Sequence, residues 1–144
     1  MITTFHTEFE SPELIIHKTP ESIIEAFWHC PLSEITDMGG VDENGDEVSF
    51  SAEQMIAGIE HMGVWGFSQQ ESNTVQIYVG PDAERKNVLF VLGHELGHLT
   101  GEQLEDESAE EERADLYGAA VLQAVEWADN LTQKRDYDKI ESNP

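Results

Sequence analysis

The order of apolar and polar residues along the 144-residue chain predicts three short strands and four helices. Alternating positions rich in strand-forming side chains predict strands at 2–9, 14–17 and 75–79. Apolar residues three and four positions apart predict helices at 20–30, 52–62, 84–100 and 108–129. Thr19 before Pro20, and Ser51 before Gln54, are typical N-terminal caps for the first two helices. The polar residues from 133 onward are expected to fray.

The arrangement of these elements predicts the fold class. The strands and helices do not alternate strictly, which favours an α+β fold over a doubly wound one. A chain of 144 residues with 39% hydrophobic side chains can fill one core but not two. No internal repeat or low-complexity linker divides it. We therefore expect a single α+β domain spanning residues 1–144.

The charge of the chain narrows the classes of partner. Seven Lys and Arg against thirty Asp and Glu leave a formal net charge of -23. Such a surface repels phosphate backbones and anionic lipid, so we expect neither a nucleic-acid partner nor a membrane partner. The single cysteine, Cys30, excludes an internal disulfide framework. With no secretory leader at its start, the protein is predicted to be cytoplasmic.

The most informative stretch is His-Glu-x-x-His at 94–98, within the third predicted helix. Residues four apart lie one above the other on a helix, so His94 and His98 can turn ring nitrogens toward one metal ion. Glu95 is rotated about 100° around the helix, which puts it beside the metal and within reach of a water. Zinc suits the site because it accepts histidine nitrogen and carboxylate oxygen and can keep one position for water.

The small residues of this helix predict how it packs. Gly93 and Gly97 form a narrow strip along one side, where another backbone could approach closely. The leucines at 89, 92, 96 and 99 lie on the face opposite the two histidines. The helix is therefore expected to be covered on several sides.

Two histidines need a third ligand, and the acidic segment that follows offers several. The apolar side of the next helix is defined by Ala114, Tyr117, Gly118, Val121 and Val125. Glu111 borders this side, and Glu107 and Glu110 also project inward, whereas Glu112 points away. Geometry alone therefore leaves Glu107, Glu110 and Glu111 as alternatives.

These residues carry a resemblance to a known family. HELGH at 94–98, followed by EERADLYGAA at 111–120, resembles the ImmA/IrrE-type gluzincin zinc metallopeptidases, whose pattern is HExxH and then E-x-x-A-(N/D)-x-F-A-A. The resemblance covers about 50 residues, from 75 to 122. It implies a minimal zincin-like core, with a small mixed sheet packed against the HExxH helix and a following glutamate-bearing helix.

The resemblance also implies the role of each site residue. His94, His98 and Glu111 would bind Zn²⁺, and Glu95 would be the catalytic base. The family's Asn or Asp falls on Asp115, which would orient a ligand without binding the metal. The chain departs from the pattern at Tyr117, where Phe is usual, and at Gly118, where Ala is usual.

The function expected from these residues is zinc-dependent hydrolysis of peptide bonds. A water activated by zinc would attack the carbonyl, with Glu95 taking its proton and passing it to the leaving amine. The resemblance implies that the strand at 75–79 lies near the zinc with an exposed edge along which an extended peptide could pair. The acidic surface favours basic or flexible protein segments as substrates. His61, Tyr78 and Tyr117 are candidates for stabilising the tetrahedral intermediate.

Two other interpretations compete with peptidase activity. The protein could be a non-enzymatic acidic binding protein that mimics nucleic acid or acts as an inhibitor, with a purely structural zinc site. Oxygen-bearing residues from Asp42 to Glu53 also resemble a calcium loop, but position 6 of that loop, where glycine makes the sharp turn, is Glu47. Asn44-Gly45 accounts for the same segment as an ordinary turn.

Overall fold

The structure is a computed structural model that describes residues 10–35 and 38–141. Within these ranges the elements are, in order, β1 (Glu13–His17), α1 (Pro20–Trp28), a short 3-10 turn (Leu32–Glu34), β2 (Met38–Val41), β3 (Glu47–Phe50), α2 (Ala52–Met62), β4 (Val64–Gln69), β5 (Thr74–Val79), α3 (Arg85–Leu99) and α4 (Glu107–Glu141). The α+β class is confirmed. The strand predicted at 2–9 lies outside the described residues.

The caps that the sequence predicts for the first two helices are present. The Thr19 hydroxyl accepts a hydrogen bond from the amide of Ser22 at the start of α1. Ser51 and Gln54 form a reciprocal capping box at the start of α2. α2 ends at Gly63, whose φ of 79° is the left-handed conformation that glycine adopts without a steric penalty.

A three-stranded sheet in the order β1-β5-β4 forms the centre of the fold. β1 runs parallel to β5, and β4 runs antiparallel to it. β5 is therefore paired on both sides, and the expectation of an exposed edge at 75–79 is wrong. Within the described ranges, β4 pairs with β5 alone and is the edge strand on that side of the sheet.

The two faces of this sheet are covered by different helices. Phe67 and Tyr78 face α1 and α2, where they join Ile23, Ile24 and Ile59 in the hydrophobic core. On the opposite face, Gly66 of β4 lies against α3. The resulting layers are α1 and α2, the sheet, α3, and then α4, which packs on α3.

Small residues allow α3 and α4 to pack closely as an antiparallel pair. A Cβ atom built at Gly93 would lie 2.9 Å from Gly118 Cα, and one at Gly97 would lie 3.1 Å from Ala114 Cα. The expectation of a close backbone approach along the Gly93–Gly97 strip is confirmed. A Cβ at Gly118 would lie 2.8 Å from the carbonyl oxygen of Phe90. This contact explains why glycine stands where the resemblance leads one to expect alanine.

The sequence did not predict β2, β3 or β4, and it placed the end of the last helix too early. β4 was missed because its start follows directly on Gly63, although Trp65 and Phe67 alternate with smaller residues as in a half-buried strand. The last helix does not end at 129 and fray from 133, since α4 continues to Glu141. Residues 130–141 contain no glycine or proline and several good helix formers, which permits this extension.

The segment with a calcium-loop pattern forms the turn between β2 and β3, which pair as an antiparallel hairpin. One Asp42 carboxylate oxygen accepts hydrogen bonds from the amides of Asn44 and Asp46, at 2.9 and 3.0 Å. Gly45 has a φ of 82°, as the turn requires. The interpretation of this segment as a turn is therefore confirmed.

None of the helices in the described residues is long and apolar enough to cross a membrane. The cytoplasmic location stays a prediction.

Candidate metal centre

The two histidines of the HExxH helix converge on one point. Because His94 and His98 lie one turn apart on α3, their rings meet edge to face with centroids 4.7 Å apart. Their Nε2 atoms are 3.1 Å apart. His98 is buried, and the side chain of His94 is 17% exposed. His94, Glu95 and His98 together form a group that could hold a metal ion.

Glu111 reaches the same point from α4. One of its carboxylate oxygens lies 3.0 Å from His94 Nε2, and the other lies 3.3 Å from His98 Nε2. The close packing of α3 and α4 makes these distances possible, since Glu111 lies about one turn before Ala114, which contacts α3 at Gly97. Glu111 remains half exposed. The structure therefore brings Glu111 together with both histidines.

The other two candidate ligands lie elsewhere. Glu107, the first residue of α4, is exposed. Glu110 is buried, but its carboxylate contacts Nδ1 of His98, at 2.6 Å, on the far side of the ring from Nε2. Glu110 thus orients a histidine and does not face the point where the two Nε2 atoms meet.

Each histidine has its own carboxylate partner at Nδ1. Asp115 Oδ1 lies 2.8 Å from His94 Nδ1, and Glu110 Oε2 occupies the equivalent place for His98. The predicted orienting contact of Asp115 is therefore present in the geometry. A carboxylate at Nδ1 favours the Nδ1–H tautomer, which leaves the Nε2 lone pair free for a ligand bond. The Glu110 contact was not anticipated.

Glu95 also lies near the two Nε2 atoms, but its carboxylate is farther from His94 Nε2 than that of Glu111. Its Oε1 atom is 3.9 Å from His94 Nε2, and Ser68 of β4 donates a hydrogen bond to its carboxylate. Gly66 allows the approach of β4, since a Cβ there would lie 3.7 Å from Glu95 Cγ and 3.1 Å from a methyl group of Val91. β4, which the sequence analysis missed, thus forms one wall of the site.

Burial raises the pKa of the Glu95 carboxyl from 4.5 to about 7. The neighbouring His94 and the Ser68 hydrogen bond oppose this rise, and the negative charge of Glu111 adds to it. A divalent cation beside the carboxyl would lower the pKa again, because it favours the ionised form.

Arg113 holds Glu110 in its ionised form. Hydrogen bonds from the guanidinium lower the pKa of Glu110 to about 2, against the opposing effect of burial. The same hydrogen bonds raise the pKa of Arg113. The spacing of three residues between them is typical of helical ion pairs, and this was the signal available in the sequence.

The candidates for stabilising an intermediate lie away from the ring nitrogens. Tyr78 belongs to the core on the α1 and α2 side of the sheet. Tyr117 packs against Gly97, and the guanidinium carbon of Arg113 lies over the Tyr117 ring, 5.5 Å from the ring centroid. His61 is exposed near the end of α2. None of these three side chains is assigned that role.

No protein-family model, curated protein or solved structure matches the chain. The class of the site therefore rests on its residues. Two histidines and nearby carboxylates, with ring nitrogens turned to a common point, define a potential metal-binding centre.

Proposed function

We propose that the protein is a zinc-dependent metallopeptidase related to the ImmA/IrrE-type gluzincins, with a zincin-like core. The observation that carries this proposal is the convergence of His94, His98 and Glu111, with Glu95 beside them. The same residues, in the same roles, are those that the sequence resemblance implies.

The donor set and its spacing fit zinc. Zinc bonds to histidine nitrogen and carboxylate oxygen are about 2.0–2.1 Å long, so donors at two corners of a tetrahedron lie about 3.3 Å apart. The two Nε2 atoms are 3.1 Å apart, one Glu111 oxygen lies 3.0 Å from His94 Nε2, and the other oxygen lies 3.3 Å from His98 Nε2. His94, His98 and Glu111 would hold the ion, and when bound it would lower the pKa of a water and polarise a carbonyl.

Glu95 is the proton carrier in this proposal. Its carboxylate is close to the donor atoms but 3.9 Å from the nearest ring nitrogen, beyond the spacing expected for a fourth ligand. The Ser68 hydrogen bond and the closeness of β4 limit the positions it can take. Glu95 accepts a proton from the attacking water and returns it to the leaving amine.

β4 is the element that would hold an extended peptide. It is the edge strand on its side of the sheet, and Ser68 on this strand contacts Glu95. A peptide paired along that edge would pass beside Glu95 and the two histidines. This role replaces the one expected for the strand at 75–79, because β5 has no free edge.

The charge of the chain supports basic segments as substrates. A net charge of -23 attracts basic peptides and speeds their encounter at low ionic strength. Flexible segments are favoured because only an extended chain can lie along a strand edge.

The test compares Glu95→Gln with Glu112→Gln in a peptide-library digestion with zinc-loaded protein. The two variants remove the same charge, but Glu112 is exposed on the side of α4 away from the histidines. We expect Glu95→Gln to retain zinc and to lose at least 100-fold in cleavage rate, a typical contribution of a general base. Glu112→Gln should cleave like the unaltered protein.

Two outcomes would contradict the proposal. Full activity in Glu95→Gln would exclude its role as the base. Zinc binding without cleavage in the unaltered protein would favour the alternative, an acidic binding protein with a structural zinc site.

A further inference from the structure

Glu110 is a buried carboxylate with a complete set of partners. Its Oε1 atom accepts hydrogen bonds from Arg113 Nε at 2.8 Å and from the amide of Leu104 at 3.0 Å. Its Oε2 atom accepts from Arg113 Nη2 at 2.9 Å and contacts His98 Nδ1 at 2.6 Å. The residue is only 6% exposed. Such a two-pronged guanidinium–carboxylate contact fixes the plane of the carboxylate as well as its position.

Arg113 also binds the end of the helix that carries His98. Its Nη1 atom donates to the carbonyl of Thr100, and its Nη2 atom donates to the carbonyl of Gly97, each at 2.8 Å. These carbonyls belong to the last turn and C-terminal cap of α3, and that of Gly97 also accepts a hydrogen bond from the amide of Thr100, at 3.2 Å. Arg113 therefore fixes the last turn of α3 to α4.

The partner of the other histidine is held much less firmly. The side chain of Asp115 is 59% exposed, against 8% for Glu110. Its contact with His94 Nδ1 is 2.8 Å. The two histidines thus have equivalent carboxylate contacts at Nδ1, but only that of His98 is buried and braced by an arginine.

We infer that the Glu110–Arg113 pair is the main positioning device of the metal centre, holding His98 with its Nε2 atom toward the Glu111 carboxylate. This inference rests on the proposed function, because it assigns the pair a role in binding zinc. Arg113 and Glu110 are positioning residues that act through His98. Asp115 makes a smaller contribution to zinc affinity, since solvent competes for its exposed carboxylate.

The geometry also predicts the effect of each conservative change. Glu110→Gln keeps the size of the side chain but turns an amide N–H₂ group toward a donor of Arg113 or His98. Arg113→Lys keeps the charge but cannot donate two parallel hydrogen bonds and reach two carbonyls at once. Both changes free the His98 ring to rotate or to change tautomer.

The experiment measures zinc affinity by competition with a chelator in the full chain. The variants Glu110→Gln, Asp115→Asn and Glu112→Gln each remove one negative charge, so general electrostatic attraction changes equally. We expect zinc affinity to fall about 10–100-fold in Glu110→Gln, and by at least tenfold in Arg113→Lys. Asp115→Asn should lose less than Glu110→Gln, and Glu112→Gln should match the unaltered protein.

A second readout requires no metal. In zinc-free protein, ¹⁵N spectra of the imidazole groups should show a proton on Nδ1 of His98, which faces the Glu110 carboxylate. In Glu110→Gln and Arg113→Lys, we expect a mixture of tautomers at His98 and no change at His94. Circular dichroism of each variant ensures that the comparison is made on folded protein.

Three results would overturn the inference: unchanged zinc affinity in both Glu110→Gln and Arg113→Lys, an equal or larger loss in Asp115→Asn, or an Nε2–H tautomer of His98 in the unaltered protein. The proposed function fails in a different way. An unaltered chain that binds zinc with these affinity differences but cleaves no peptide would contradict the peptidase and support the positioning role. A chain that binds no zinc would contradict both.

Discussion

Gly93→Ala tests whether the spacing of α3 and α4 determines both stability and the metal centre. The added methyl group would lie 2.9 Å from Gly118 Cα and 2.9 Å from Val121 Cβ. Carbon atoms prefer separations of about 3.5–4.0 Å, so the helices must move apart locally by about 0.6–1 Å. Overpacking of this kind costs about 1–3 kcal/mol.

Gly58→Ala in α2 is the matched control. A Cβ atom at Gly58 has nothing within 4 Å, so the substitution brings only the gain in helix propensity, about 1 kcal/mol. Gly93→Ala brings the same gain together with the overpacking cost. We therefore expect the free energies of unfolding of the two variants to differ by about 1–3 kcal/mol, with Gly93→Ala the less stable.

The assay is urea unfolding of both variants in the presence of a chelator, followed by zinc titration of the folded proteins. Separating the helices also moves Glu111 away from His94 and His98, and metal–ligand distances tolerate only about ±0.2 Å. Zinc affinity should therefore fall in Gly93→Ala and stay unchanged in Gly58→Ala. Equal stabilities and equal zinc affinities for the two variants would refute the packing argument.

Three further predictions concern the charges of the site. In zinc-free protein the pKa of Glu95 is raised from 4.5 to about 7. The free energy of unfolding should therefore fall as pH rises between these values, because the unfolded chain releases the proton first. In urea unfolding, the free energy of unfolding of Glu95→Gln should rise relative to that of the unaltered protein from pH 4 to pH 8, by up to about 3 kcal/mol. A difference between the two proteins that does not change with pH would contradict this cause. Ser68→Ala removes a hydrogen bond that lowers the pKa of Glu95. The loss of stability with rising pH should therefore extend to higher pH in this variant, and an unchanged pH dependence would exclude the contact. Cleavage of basic peptides should slow as NaCl rises from 10 to 150 mM, since the screening length falls from about 30 to 8 Å, and kinetics without salt dependence would argue against electrostatic attraction.

The sequence predicted the placement of the two histidines better than the elements that surround them. The i, i+4 spacing of His94 and His98 requires only that the segment be helical, and α3 satisfies this condition. The close approach at Gly93 and Gly97 could be predicted for the same reason, because helix geometry alone puts both on one strip. Helix geometry left Glu107, Glu110 and Glu111 open, and the resemblance implied Glu111. Which of them lies near both histidines depends on the packing of two helices, which no local pattern encodes.

The sheet was the part of the fold that local pattern could not supply. Strand order depends on contacts between distant residues, and β5 pairs with both β1 and β4. Because β4 was not predicted, no local pattern indicated that Ser68 and Gly66 line the site. Glu110 projects inward as predicted, but an inward direction on a helix does not tell which atom of a histidine a side chain meets.

A crystal structure of the zinc-loaded protein would show whether His94, His98 and Glu111 hold one ion. Zinc should lie within about 2.0–2.2 Å of His94 Nε2, His98 Nε2 and a Glu111 oxygen, with a non-protein ligand in the remaining position. Glu95 should stay outside the coordination sphere, held by Ser68. A zinc ion coordinated by Glu95 in that remaining position, or one that leaves Glu111 unbound, would contradict the proposed function.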